Sequence, residues 1–348
     1  MAKLPVINQN FLCRYVVIGC CSLMAAAGCS TLAPISVNSP ASNSFTSSDN
    51  VTPRNATVPV ASRTRASAAD GWAIVVGVSR YKHAGTNFGN LSFAASDAQR
   101  FYDHLVGEAG WPADRVVLLL DEEATLSRVQ AEFNQRLLNT DSRDKVIVFW
   151  AGHGFPDNQG RYAFFACHDT RLGRSSSGIM MHSLAEQIHA SDPANVMLFV
   201  DTCHAGSIMS RNPGRQDSLS VPPGWVYFLG SETDQAAFEQ EDVSGQSGGG
   251  RLTDFVLSGL RGAADGFEPN QMAERSTLGS SYRMPKPRQK PDSLITVGEL
   301  RGYVSSRSYV LNTELNRTNN GLYQSSINIT STHSTNPRLW NMDVNYPR

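Results

Sequence analysis

The sequence lacks the signatures of several functional classes. Its 30 Lys and Arg residues are balanced by 31 Asp and Glu, which gives a formal net charge of −1 without a basic stripe. We therefore expect no nucleic-acid partner. The chain contains no CxxC pair and no HExxH stretch, so we predict no metal site. Its 348 residues, 41% of them hydrophobic, suffice for one large α/β domain with extensions or for two small domains.

Cysteine is scarce in the body of the chain. Only Cys167 and Cys203 lie beyond the first thirty residues, and two cysteines are not a disulfide framework. A buried cysteine often behaves as a small hydrophobic side chain, so a chemical role has to be argued from its neighbours. The other four are Cys13, Cys20, Cys21 and Cys29.

Residues 1–29 resemble an export signal that ends in a bacterial lipobox. Positive charge precedes an apolar core at residues 15–27, which is too short to span a bilayer comfortably. Small residues lead directly to Cys29, which we predict to be lipidated. Ala26 stands where leucine is commonest, which leaves simple secretory cleavage open. Because Ser30 rather than an aspartate follows, we expect an exported bacterial lipoprotein, held by its lipid at the outer membrane or facing the periplasm.

The rest of the chain divides into three segments by composition. Residues 30–69 are rich in Ser, Thr, Asn, Pro and Ala, cannot bury a core, and are predicted to form a disordered tether. Residues 70–310 are predicted to form the folded domain. Residues 311–348 are rich in Asn, Thr and Ser, and form an extension whose role the sequence does not indicate.

Short apolar runs alternate with helical spacing through the folded segment, which predicts a three-layer α/β/α sandwich with a mostly parallel sheet. The predicted strands are residues 72–78, 116–120, 145–150, 195–200 and 225–229, with a hairpin arm at 161–166. The predicted helices are residues 91–106, 124–138, 181–190, 252–260 and 296–306, with Thr296 as the cap of the last and Glu299 three residues on.

Two of these strands end in residues that carry chemistry. The strand at 145–150 leads to His153, which has a glycine on each side, and the strand at 195–200 leads to Cys203. Chemistry in an open parallel sheet gathers at the carboxyl ends of the strands. We therefore predict Cys203 as a thiol nucleophile and His153 as its base. The backbone amides of Gly154 and Cys203 are the predicted oxyanion donors.

These motifs resemble those of the caspase and metacaspase family of cysteine peptidases, in its bacterial form. The resemblance rests on AGHG at residues 151–154 and DTCHAG at 201–206. It implies a caspase-like sandwich with a six-stranded sheet, His153 as proton shuttle, Cys203 as nucleophile and a polypeptide substrate. Supporting residues occur in the expected order at 96–98, 234–237, 252–255, 259–265 and 295–300.

The resemblance also implies a specificity. Metacaspases place aspartates at the positions of Asp97 and Asp201 and cut after arginine or lysine. Two carboxylates would bind a guanidinium through charge-assisted hydrogen bonds of about 1.5–3 kcal/mol each. Three alternatives stay open: Asp97 faces solvent on its helix, the peptidase cuts after aspartate, or the fold is a non-catalytic scaffold that binds a partner.

Two features of the sequence bear on how the peptidase is activated. No cofactor is predicted as a requirement, but many metacaspases need calcium, and residues 121–123 form an acidic cluster without an assignable site. The polar loop at 207–223 lies where family members carry the linker between subunits, and it contains Arg211 and Arg215. An enzyme that cuts after arginine could process itself there. The sequence does not indicate the oligomeric state.

Overall fold

A computed structural model describes residues 71–85, 88–209, 222, 224–231, 239–241, 248–275, 282–293, 295–318, 328–331 and 341–342. The predicted signal peptide with Cys29, the predicted tether, and Arg211 and Arg215 lie outside these residues. Within them, no helix is long and apolar enough to cross a membrane.

Strands and helices alternate through most of the described chain, as the apolar runs predict. The helices are α1 (Ala94–Asp103), α2 (Leu126–Leu137), α3 (Met181–Ala190), α4 (Arg251–Ser258) and α5 (Val297–Thr318). The strands are β1 (Gly71–Gly77), β2 (Val116–Leu120), β3 (Lys145–Ala151), β4 (Gly154–Pro156), β5 (Ala163–Ala166), β6 (Gly178–Met180), β7 (Asn195–Asp201), β8 (Trp225–Leu229), β9 (Glu239–Glu241), β10 (Gly248–Gly250), β11 (Glu274–Arg275), β12 (Tyr282–Arg283), β13 (Ile295–Thr296), β14 (Asn328–Ser331) and β15 (Asn341–Met342).

The main sheet has the strand order β14-β8-β7-β3-β1-β2. Five of its strands run parallel to their neighbours, and β14 pairs antiparallel with β8. The central strands β1, β3 and β7 are almost continuously buried, as expected for a parallel sheet that is covered on both faces. The predicted α/β class and mostly parallel sheet are confirmed.

Two hydrophobic cores lie on opposite faces of this sheet, because successive side chains of a strand point to opposite sides. In β1, Ile74 and Val76 belong to the core that includes side chains of α2 and α3. Ala73 and Val75 belong to the other, which includes side chains of α1, α4 and α5. Burying one large apolar side chain contributes about 1.5–3 kcal/mol, so these two layers supply most of the folding free energy.

The C-terminal part of the domain extends further than the composition predicts. The helix α5 begins at the expected capping box, in which Glu299 N–H donates to Thr296 Oγ1 (3.2 Å) and Thr296 N–H donates to Glu299 Oε2 (2.8 Å). However, α5 continues to Thr318, and β14 supplies the sixth strand of the sheet. The boundary predicted at residue 310 therefore falls inside a helix. The Asn-, Thr- and Ser-rich sequence carries too little apolar periodicity to reveal either element.

A small antiparallel sheet follows the carboxyl end of β3. Its strand order is β4-β5-β6, and β5 is the hairpin arm predicted at residues 161–166. It begins at Gly154, directly after the predicted base. The small sheet therefore fixes the direction in which the chain leaves His153.

Candidate active site

The register of two neighbouring strands brings the predicted base and nucleophile to one edge of the sheet. Parallel strands β3 and β7 pair with Ala151 opposite Asp201. His153 and Cys203 each lie two residues beyond this pair. Gly152 N–H continues the contact by donating to Asp201 O (3.3 Å), and a Cβ at Gly154 would overlap the carbonyl oxygen of Cys203. The two segments therefore remain in contact where the strands end.

The ring of His153 lies in a pocket formed by the loop after β1. Its centroid is 4.9 Å from that of Tyr81 and 4.6 Å from that of Phe88. The Tyr81 hydroxyl also accepts a hydrogen bond from His153 N–H (2.7 Å). These contacts leave His153 only 4% exposed. The imidazole is therefore held by packing as well as by its backbone.

One backbone carbonyl sets the protonation pattern of His153. Its Nε2 lies 2.8 Å from the carbonyl oxygen of Gly89, which can only accept, so Nε2 carries the proton. Neutral His153 then has Nδ1 as its unprotonated nitrogen. Burial lowers the pKa of His153 below its usual 6.5, and the Gly89 hydrogen bond opposes this shift. The imidazole is thus neutral near pH 7, which is the form that can accept a proton.

Cys203 is only 4% exposed and lies in a turn rather than on extended chain. The next residue, His204, has a φ of 59°, in the left-handed region that non-glycine residues rarely adopt. Because Cys203 and His204 lie in a turn, their side chains do not have to point to opposite faces, as neighbouring side chains of an extended strand do. Backbone conformations of this kind cluster at functional sites.

Ser231 closes this turn from the neighbouring strand. It follows the end of β8, and its hydroxyl donates to Thr202 O (2.9 Å) and accepts from Ala205 N–H (3.1 Å). In addition, Gly206 N–H donates to the carbonyl of Ser231 (3.2 Å). Ser231 therefore contacts the backbone on both sides of Cys203.

The amide of Gly154, the predicted oxyanion donor, points away from the small sheet. Ala166 N–H donates to His153 O (3.0 Å), so the adjacent pair, Gly154 and Phe165, is of the non-hydrogen-bonded type. In such a pair the N–H groups point away from the partner strand. The amide of Gly154 is therefore not used by β5, and the same residue packs against Cys203.

The two predicted specificity carboxylates are brought together and buried. Asp97 lies on α1 and is 1% exposed, while Asp201 ends β7 and is 8% exposed. The alternative that Asp97 faces solvent is therefore wrong. Burial, together with the negative charge of Asp201, raises the pKa of Asp97 from 3.8 to about 8. At neutral pH the pair carries less than two full negative charges.

Both carboxylates are already bonded to the segment that begins α4. Gly250 N–H donates to Asp97 Oδ2 (2.7 Å), and Thr253 donates to Asp201 Oδ2 from both its N–H (3.2 Å) and its hydroxyl (3.0 Å). A Cβ at Gly250 would overlap the Asp201 carboxylate. The pair therefore lies beneath the Gly248–Gly250 strand.

An internal arginine is bonded to one member of the acidic pair, Asp97. Arg100 Nη2, one turn along α1, forms an ion pair with Asp97 Oδ1 and another with Asp254 Oδ1 of α4 (2.8 Å). Sequence reasoning did not identify Arg100, because Asp254 is 154 residues away in the chain. Its guanidinium lowers the pKa of Asp97, but the opposing effects of burial and of Asp201 are larger.

The acidic cluster at residues 121–123 is exposed at Glu122 and Glu123 but buried at Asp121. Asp121 is buried and accepts hydrogen bonds from the N–H groups of Ser79 and Arg80, both 2.8 Å. Glu122 forms an ion pair with the side chain of Arg80 (2.9 Å). These contacts fix the start of the loop that leads to Tyr81. Within the described residues, no cluster of acidic, histidine or cysteine side chains could hold a metal ion.

The fold and these motifs agree with a comparison of sequence families. The family model described as Caspase domain matches residues 70–335, which is well over half of the chain. The chain belongs to the caspase domain family. No curated protein sequence matches it. Among solved structures, this caspase domain is similar to GSU0716 of Geobacter sulfurreducens, with 17% identity and a TM-score of 0.41 over 55% of this chain and 82% of that one.

A second similar structure is caspase-1 of Spodoptera frugiperda. Its identity is 13% and its TM-score 0.35, over 56% of this chain and 69% of that one. At such identities and TM-scores, neither likeness bears on activity or specificity.

Proposed function

We propose that the protein is a cysteine endopeptidase in which Cys203 attacks the peptide carbonyl and His153 moves the proton. The observation that carries the proposal is the register of β3 and β7, which delivers both residues to one sheet edge. Neutral His153 accepts the thiol proton, and the resulting imidazolium later donates it to the leaving amine. The amides of Gly154 and Cys203 stabilise the oxyanion that forms when the thiolate attacks. Loss of the amine leaves a Cys203 thioester, which a water molecule deprotonated by His153 hydrolyses to release the acid and the free thiol.

We further propose that cleavage follows arginine or lysine. Asp97 and Asp201 support this specificity, because they form a buried acidic pair and Asp201 lies two residues before the nucleophile. The oxygens of Asp97 and Asp201 already accept hydrogen bonds from the segment that begins α4, so a substrate guanidinium has to share or displace these donors. In the conformation described, access therefore depends on the Gly248–Gly250 strand.

The same contacts favour a second candidate. If Asp97 and Asp201 serve only to bind the start of α4, the pair is structural, and the domain is a scaffold or a peptidase of another specificity, such as cleavage after aspartate. Substitution separates these functions. If the pair binds substrate, Asp201→Ala is expected to abolish cleavage after arginine. Thermal unfolding followed by circular dichroism checks that the variant is still folded.

The decisive test of activity is turnover of fluorogenic peptides that end in arginine, lysine or aspartate, by the full-length protein with and without calcium. We expect arginine- or lysine-directed turnover that is lost in Cys203→Ala. The matched control is Cys167→Ala, because Cys167 is fully buried and burial raises the pKa of its thiol. Absence of turnover of all three peptides by a folded protein would favour the scaffold.

Two proposals concern residues outside the described structure. We propose that Cys29 is lipidated and holds the enzyme at a membrane facing the periplasm, which predicts lipid labelling that is lost in Cys29→Ser.

We also propose self-processing at Arg211 or Arg215. Mass spectrometry should find cleavage there in the wild type but not in Cys203→Ala, and a single uncut chain under active conditions would contradict it.

A further inference from the structure

The turn that carries Cys203 is held by groups on both of its sides. His204 adopts the left-handed conformation with a φ of 59°, which is uncommon for a residue other than glycine and costs conformational energy. Such a conformation persists only where surrounding contacts over-determine it. The turn that carries Cys203 therefore needs contacts from outside its own backbone.

Ser231 has the geometry for that task. One hydroxyl group bonds the carbonyl of Thr202, immediately before Cys203, and the N–H of Ala205, two residues after it, at 2.9 and 3.1 Å. The carbonyl of Ser231 accepts a third bond, from Gly206 N–H (3.2 Å). A hydroxyl can donate and accept at the same time, which a methyl group cannot do.

Ser231 is itself rigidly placed. It is 0% exposed, and it follows β8 and Gly230, whose N–H donates to Val200 O (2.8 Å) on the strand that leads to Cys203. The turn is thereby anchored to the sheet and not only to its own backbone. Loss of the hydroxyl leaves two buried backbone groups without this partner, and the turn is then free to relax.

We propose that Ser231 is a positioning residue that holds the Cys203 thiol in its reactive orientation through the backbone of residues 202–205. The proposal deepens the proposed peptidase function and rests on it for the kinetic readout. Ser231 does not take part in the proton transfers. Its effect is on where the sulfur lies relative to His153 and Gly154.

The test uses the full-length protein and two readouts. The first is the rate at which iodoacetamide alkylates Cys203 between pH 5 and 9, followed by mass spectrometry of the peptide that contains it. The second is kcat and KM on the cleaved fluorogenic peptide. For Ser231→Ala we expect kcat to fall by about 10–100-fold with KM nearly unchanged, because a small misplacement of a reacting group has effects of this size. The dependence of the Cys203 alkylation rate on pH should also change in this variant.

Two variants control for a merely structural effect. Ser231→Thr keeps the hydroxyl and should retain both readouts. Ser207→Ala removes the hydroxyl of another buried serine in the same loop. It keeps the backbone bond from Ser207 N–H to His204 O (2.9 Å), so it should leave both readouts unchanged. If Ser231→Ala does not fold, Ser231→Cys replaces it and should give intermediate values, because a thiol is a weaker hydrogen-bonding group.

The outcomes separate the two proposals. Wild-type alkylation at Cys203 that depends on Ser231, without peptide turnover, would support the positioning role and contradict the peptidase function. Equal effects of Ser231→Ala and Ser207→Ala, or no change in alkylation and kcat in Ser231→Ala, would overturn the positioning role.

Discussion

Gly154→Ala should lower both activity and stability, because Gly154 packs against the backbone of the predicted nucleophile. A Cβ at residue 154 would overlap the carbonyl oxygen of Cys203, and it would lie 3.1 Å from the carbonyl carbon of that residue and 2.9 Å from Met181 Cε. Met181 can rotate, but the Cys203 carbonyl belongs to backbone and has to move. Such overpacking costs about 1–3 kcal/mol of unfolding free energy. A shift of about 1 Å at a reacting group lowers kcat/KM by about 10²-fold.

The matched control for this variant is Gly89→Ala. No heavy atom lies within 4 Å of a Cβ at Gly89, and its carbonyl oxygen, which accepts from His153 Nε2, is retained. We expect Gly89→Ala to keep wild-type activity and stability. The assays are urea unfolding followed by circular dichroism and kcat/KM on the cleaved peptide. Equal behaviour of the two variants in both assays would refute the packing of Gly154 against Cys203.

Three further predictions concern charge and capping. The pKa of Asp97 is about 8 in the folded protein against 3.8 unfolded, so its stabilising contribution is complete at low pH and is lost as the pH rises toward 8. Urea unfolding from pH 5 to 8 should show the wild type losing up to about 1.4 kcal/mol per pH unit relative to Asp97→Asn, and parallel pH curves would contradict this. The pKa of His153 is lowered from 6.5, so the midpoint of the fall in kcat/KM at low pH should lie below pH 6.5. A midpoint above pH 6.5 in a pH–rate profile would contradict this, because it would mean that His153 remains an imidazolium at that pH. Thr296→Ala removes the acceptor of Glu299 N–H at the start of α5 and should cost about 0.5–2 kcal/mol in thermal or urea unfolding, whereas an unchanged midpoint would mean that the cap contributes nothing.

The sheet could be predicted because its central strands are buried on both faces. Continuous apolar runs as short as Lys145–Ala151 and Asn195–Asp201 are typical of strands in a covered parallel sheet. Their register places the segments that carry His153 and Cys203 side by side at the carboxyl ends of the strands, where the sequence analysis expects chemistry. The end of α5 and the strand β14 could not be predicted, because their polar residues carry no clear periodicity.

The parts of the site that sequence reasoning missed act through backbone groups or distant pairs. The carbonyl of Gly89, which orients His153, has no side-chain signature. Ser231 is one serine among many, and its role depends on a hydrogen bond to Ala205, 26 residues away in the chain. Tyr81 offered a weak signal, since an aromatic residue in the loop after the first strand lies at the functional edge of the sheet. The residues that carry chemistry can be found from motifs, but those that orient them cannot.

The central claim is that Cys203 is a nucleophile activated by His153. The most direct measurement treats the full-length protein with a peptide chloromethyl ketone that ends in arginine and maps the modified residue by mass spectrometry. We predict rapid modification of Cys203, slowed strongly in His153→Ala, with Cys167 unmodified in both. Modification of Cys203 at the same rate without His153, or no modification of Cys203 in the folded wild type, would contradict the account.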